Sequence, residues 1–366
     1  MAGVSRQAIS LWESAEADPS LRAAFALARA LGMTVEELFG RDDAAVPVAA
    51  IPVAPLGGEG ARVTLASVGD GYVALPLRGG TASRSGFIPA GGLAAEADDD
   101  RGRSRAVRPI GPPRPTLVVA GCDPALPLLG APLGLLDPPV GFSWWPCPSR
   151  EALRLAAAGL VHVAGTHLRG LGSGYNISPA AAMLPRGGQV IGFCSWQEGL
   201  VLRPELAEGI SGVADAARRG LRLVNREPGA EARSVLDREL AGAGIDASQL
   251  AGYGAEVTGH LEVAAAIAAG LADAGIASEP AALAYDLAFV PLTAEHFDLV
   301  IPAGHESTRE VQGLLKVLSS AWLLDQLASM PGYDAARCGE HIAALPPRRQ
   351  RSRHPTDAAP WSAQPR

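Results

Sequence analysis

"LRLVNREPGAEARSVLDREL", residues 221–240, decides the fold of this 366-residue chain. Leu221, Leu223 and Val224 make a short apolar run of strand character, ended by the turn signal Pro228-Gly229. From Glu231 onward, Ala232, Val235, Leu236 and Leu240 recur at the spacing of a helix with one buried face. Strand, tight loop and helix in that order form half of a βαβ unit. The alternation continues on both sides, through about 116–345. "TLVVAGCDPALPLL" (116–129) reads as strand, turn and helix, and "LVHVAGTHL" (160–168) as a strand. "HLEVAAAIAAGLADAGIA" (260–277) reads as helix then strand, while "LAFVPL" (287–292) and "FDLVIP" (297–302) read as further strands. An α/β fold with a mainly parallel sheet is expected, with ligands at the carboxyl ends of its strands.

The order of motifs narrows this further. "AGCDPAL" (120–126), "HVAGTHL" (162–168), "GLRLVNREPGAEARSVLD" (220–237), "GYGAEVTGHLEVAAAIAAGLADAGIA" (252–277), "FVPLTAEHFDLVIP" (289–302) and "PGYDAARCG" (331–339) follow one another. Together they resemble the molybdate-binding-protein-like type II periplasmic-binding (PBP-like) domain that is fused to helix-turn-helix segments in cytoplasmic regulators. The resemblance spans about 116–345 and implies two α/β lobes closing on a small ligand. Lobe I would comprise 116–190 and 290–345, and lobe II 200–285, with crossings near "GFCSWQEGL" (192–200) and "LAFVPL".

Helix starts favour anions, because their first N–H groups are unpaired and the helix dipole is positive there. Four starts are candidates for the ligand site: Cys122-Asp123-Pro124, Ser149 as cap of "REALRLAAA", Gly229-Ala230-Glu231, and Thr258-Gly259-His260. Arg226 and Arg233 can add charge-assisted bonds. The wider family often has G-S-G-T-R where this chain has Gly229-Ala230-Glu231-Ala232-Arg233, so two hydroxyl donors are missing and a carboxylate is added. The resemblance implies molybdate or tungstate. The local chemistry also admits a larger or less charged ligand, such as a pterin-type metal cofactor. Trp144, Trp145 and Tyr175 either wall that pocket or pack the core. His162 and His167, five apart, do not have metal-ligand spacing, so no metal set is expected. No nucleophile–base pair, P-loop or dinucleotide fingerprint is present, and the chain does not read as an enzyme.

The amino terminus carries a different signal. In "GVSRQAISLWE" (3–13), Ser5 is a natural N-cap, and Val4 with Ile9 can close a hydrophobic staple. Arg6, Gln7 and Ser10, with Ser5, form the candidate DNA-facing set, and Ile9 and Trp12 share the inward face. Asp18-Pro19-Ser20 opens a second helix with Leu21, Ala24, Leu27, Ala28 and Leu31 on one side, stopped by Gly32. Thr34 and Glu37 form a capping box ahead of Leu38 and Phe39. The series resembles the C-terminal three-fifths of an Xre-like helix-turn-helix domain, whose first and scaffold helices would lie upstream or be lost. DNA is the partner it implies.

Composition sets the limits. A net charge of −7 argues against wholesale polyanion binding by the surface. The four cysteines are scattered without a C-x-x-C pair, and no apolar run or basic leader suggests a membrane. A cytoplasmic protein is therefore expected, and a homodimer because the resemblance to a helix-turn-helix reader implies pairing. The expected organisation is a partial helix-turn-helix (1–40), then a linker region (41–115) with a β-hairpin (61–78) and a flexible segment, the two-lobed domain, and a disordered basic tail (346–366).

Overall fold

The computed structural model describes residues 5–13, 17–35, 38, 46–80, 82, 87–95, 103–112, 114–170 and 175–348. Two short helices open it, α1 (Arg6–Glu13) and α2 (Leu21–Leu31). The Ser5 hydroxyl accepts from the Ala8 N–H, as its N-cap reading requires. Ser20 caps α2 by accepting from the Ala23 N–H, and Gly32 closes it in the left-handed conformation at φ 70°. Gln7 and Ser10 are exposed, while Ile9 and Trp12 are half-buried. The side chain of Arg6, the staple residue Val4 and the box residue Glu37 lie outside the described residues.

The described residues of the stretch expected to be a linker region include five strands. Strands β1 (Val48–Pro52), β2 (Arg62–Val68), β3 (Gly71–Pro76), β4 (Gly92–Ala94) and β5 (Arg105–Pro109) close a barrel in the order β1-β3-β2-β4-β5. The expected hairpin is β2–β3, in register from Val68↔Gly71 to Val63↔Pro76. Its turn places the positive φ (59°) on Gly69. The other three strands were hidden because they are short and their partners are distant in sequence: β1 pairs parallel with β3 and antiparallel with β5. Val63, Leu65, Ala74 and Val107 fill the barrel. Ala66, Val68, Val73 and Leu75 point the other way and join the core of the main domain through Val118, Ala120 and Leu153.

The main domain is built on a nine-stranded sheet. Its strands are β6 (Thr116–Gly121), β7 (Gly141–Pro146), β8 (Val163–Thr166), β9 (Gly188–Leu202), β10 (Leu223–Arg226), β11 (Glu256–Val257), β12 (Ala274–Ser278), β13 (Ala288–Pro302) and β14 (His341–Leu345). The order is β11-β10-β12-β9-β13-β8-β6-β7, with β14 also paired to β9. β6–β7, β6–β8, β10–β12 and β10–β11 are parallel, as expected. The centre is not: β9 and β13 are 15 residues each and run antiparallel along their whole lengths. "LAFVPL" and "FDLVIP", expected as two strands, are one, because the polar TAEH between them stays on the ladder with register shifts at Pro291/Thr293 and Phe297/Asp298.

These two strands join the halves. The start of β9 pairs with β14 and the end of β13, beside β8, β6 and β7. The end of β9 pairs with β12 and the start of β13. Each half has apolar clusters of its own: Leu126, Leu129, Phe193 and Phe297 in the first, Leu200, Leu236 and Ile276 in the second. No helix of the described residues is long and apolar enough to cross a membrane.

Candidate functional site

A cleft of about 400 Å³ opens where several strands end. Cys122 follows β6, Pro146 and Cys147 close β7, Arg226 and Glu227 end β10, and Thr258 follows β11. The cleft thus lies at the carboxyl ends of strands from both halves, where the chain leaves the sheet and backbone groups are free to meet a ligand. Of the sequence-derived candidates, Cys122, Arg226, Thr258, Gly259 and His260 line it. Trp144 forms one wall, its indole N–H donating to the Gly121 carbonyl at 2.8 Å. Gly259 (φ 107°) is the N-cap of the helix His260–Ala268, whose start faces the cleft.

The remaining candidates do not line it. The Asp123 carboxylate is buried, accepting from the Ala125 N–H (2.6 Å) and the Tyr333 hydroxyl (3.1 Å), and burial pushes its pKa up to about 6. Ser149 is not a cap. It is the first residue of the helix Ser149–Ala157, and its hydroxyl accepts from the His167 N–H instead. Gly229 and Ala230 precede the helix Glu231–Gly242, and Glu231 pairs with Arg238 at 2.9 Å. Arg233 donates to the Arg226 carbonyl (3.0 Å), pairs with Glu256 and lies over the Tyr253 ring. It ties the end of β10 to the start of β11.

Sequence reasoning missed the residue that sets the charge. Arg226 is 2% exposed, and its guanidinium is engaged by Glu227 in a bidentate pair, Nε to Oε2 at 2.7 Å and Nη2 to Oε1 at 3.0 Å. Strand alternation would put neighbours on opposite faces, but β10 ends at Arg226 and Glu227 is free to fold back. With Glu227 and Glu262 both lining the cleft, its carboxylates outnumber its one arginine.

Beneath the cleft lies a buried polar group of unusual composition. His167 follows β8, Glu198 is on β9, Glu295 is on β13, and all three are at most 2% exposed. Burial pushes the Glu198 carboxyl up to about 7, with His167 acting against it. Burial opposes charge on His167, yet Cys122, Glu295 and Glu198 outweigh it and raise its pKa. His260 is held neutral by burial, with Arg226 and His167 adding to the effect. Two sets have donor atoms within 4.8 Å of one another and suit a metal: Cys122, His167 and His260, and His167, Glu198 and Glu295.

An uncharacterized protein of Bacillus subtilis, YvgK, is 32% identical over 144 residues, 39% of this chain and 46% of YvgK, so the chain spans about half that relative's length. An uncharacterized protein from the ferredoxin 2Fe-2S gene 5′ region of Clostridium pasteurianum is 31% identical over 112 residues, 30% of this chain and 99% of that protein. Among solved structures, a tungstate ABC transporter from Geobacter sulfurreducens is 14% identical, with a TM-score of 0.44 over 58% of this chain and 97% of the other. A helix-turn-helix family model matches residues 1–38, and a PBP superfamily domain model matches residues 133–319. The chain belongs to the PBP superfamily, with a helix-turn-helix segment at its amino terminus.

Proposed function

We propose that this protein is a ligand-responsive, DNA-binding transcriptional regulator of the cytoplasm. The observation that carries this reading is the joining, on one chain, of a helix-turn-helix segment to a cleft at the strand ends of both halves of a PBP-like domain. Lobe I (116–190 and 290–345) and lobe II (200–285) close on the ligand, and closure changes the spacing of paired amino-terminal segments in a homodimer. Ser5, Arg6, Gln7 and Ser10 face the DNA.

The ligand is a small organic molecule with at most one anionic group, seated against Trp144. Three features support this choice over bare molybdate or tungstate. The cleft volume is in the range of small-molecule sites. Arg226 is already neutralised by Glu227. A dianion would also sit beside Glu262. A pterin-type molecule meets these conditions. On this reading Arg226→Ala weakens an anionic ligand, whereas Arg233→Ala does not. Glu227→Gln leaves Arg226 unopposed and raises affinity for molybdate about tenfold or more, read by isothermal titration. Equal affinities in Glu227→Gln and wild type would show that Glu227 does not set the cleft's charge preference.

The test of the regulator reading is selection of duplex DNA by the full chain, followed by anisotropy titrations across salt. Selective binding that weakens with salt is expected, and small-molecule extract from the protein's own host should change it at least about fivefold through the ligand it contains. A chain that retains no duplex at low salt would sink it. One observation favours the second reading, a small-molecule-binding protein with a vestigial DNA module. Four arginines against five acidic residues give residues 1–41 a net charge of −1, where a phosphate-binding module usually carries a basic face.

A further inference from the structure

We propose that His167, Glu198 and Glu295 bind one divalent transition-metal ion at the crossing between the two halves of the PBP-like domain. The residues come from three elements, the end of β8 and the two long strands β9 and β13. Their donor atoms lie within 4.8 Å of one another. The imidazole Nδ1 of His167 and both oxygens of each glutamate are buried and make no hydrogen bond. Native interiors do not commonly leave five such atoms orphaned at one point, and two carboxylates without donors are costly there.

The buried Arg226 guanidinium favours the Glu198 carboxylate, but its hydrogen bonds go to Glu227 and none reaches Glu198. Arg169 Nε is 3.7 Å from Glu295 Oε1 and 44% exposed, and His260 Nδ1 is 3.8 Å from Glu198 Oε1. Neither is at hydrogen-bond distance. His167 Nδ1 and Glu295 Oε2 are 3.7 Å apart. Two donors on one tetrahedral ion sit about 3.4 Å apart, so small side-chain adjustments close the site. The ion takes the place of a proton on His167 Nδ1, and that proton is released. One imidazole with two carboxylates suits zinc or manganese, whose ligands are nitrogen and oxygen, rather than a thiophilic ion.

The neighbouring set, Cys122 with His167 and His260, is the weaker site. His260 Nδ1 accepts from the Ser278 N–H at 3.2 Å, so its proton is on Nε2, the nitrogen that would have to ligate. No pairwise spacing in the sequence announces the proposed set, because its members lie at 167, 198 and 295.

The test uses the full chain, stripped with a chelator and then equilibrated with Zn²⁺ alone or Mn²⁺ alone. About one ion per chain is expected after dialysis, with a raised melting temperature. Glu198→Gln and Glu295→Gln keep side-chain size, and each is expected to weaken uptake about 100-fold or more in competition titrations, while Glu239→Gln on the exposed helix surface leaves it unchanged. Where a glutamine variant does not fold, Co²⁺ added to the wild type gives the answer. A visible ligand-field spectrum without a sulfur charge-transfer band supports the nitrogen–oxygen set. A thiolate band would move the ion to Cys122 and overturn the proposal. Failure of the wild type to retain either ion, or wild-type uptake by both glutamine variants, would overturn it as well.

Discussion

Phe297→Ala is expected to cost about 4 kcal/mol of unfolding free energy, at the upper end of what single core substitutions do. The ring is fully buried on β13, next to the crossing between the halves. It meets Trp196 with centroids 5.5 Å apart, Phe193 at 6.2 Å and the His167 imidazole at 6.1 Å. The backbone on the far side has been cleared for it. A Cβ added at Gly165 would come within 2.4 Å of the ring, and one at Gly121 within 3.2 Å. Neighbours this close-packed relax poorly around a void, so the cavity term adds to the lost burial. Denaturant unfolding of wild type and variant checks the value. A loss below about 1 kcal/mol would mean that the crossing collapses around the gap.

The second large effect is on the acid side. His162 is 2% exposed, and its Nδ1 accepts from the Val118 N–H at 3.1 Å. Burial, helped by nearby His305, lowers its pKa to about 4, against a weaker opposing pull from the Ser67 backbone. In the unfolded chain the same group protonates near its ordinary value of about 6.5. Between the two values the unfolded state binds more protons than the folded one. Stability contributed by His162 is therefore complete above pH 6.5 and is lost as the pH falls toward 4, by about 3 kcal/mol at most. The comparison that isolates it is the pH dependence of the unfolding midpoint in wild type and His162→Gln. A shallower acid slope in the variant is expected; identical slopes would remove His162 as the cause. Ser67 is on β2, so protonation also strikes where the barrel packs against the main domain.

Local signals were legible in the sequence and long-range ones were not. The Ser20 cap, the Gly32 stop and the Val68–Gly71 hairpin depend on residues within a few positions of one another. The helix starts at Glu231 and His260 were equally plain. The barrel was not, because "VAAIP" (48–52) becomes a strand only through partners at Tyr72–Ala74 and Arg105–Val107. Ser149 misled for the same reason: its hydroxyl is used by His167, distant in the chain. Of the two arginines expected to hold an anion, Arg226 lines the cleft and Arg233 does not, and the partner Glu227 was overlooked beside Arg226. Glu198 and Glu295 did leave a trace. Each is a carboxylate in a short polar interruption between apolar runs, and a charged residue rarely enters an interior unpaired.

The paired ribbon of β9 and β13 has a mechanical consequence. Two hydrogen-bonded strands resist in-plane bending but yield readily to torsion, and bulges raise the local coiling. The register slips at Pro291/Thr293 and Phe297/Asp298 bracket the compliant stretch. Because both strands run through both halves, closure of the halves on a ligand has to be taken up by this ribbon.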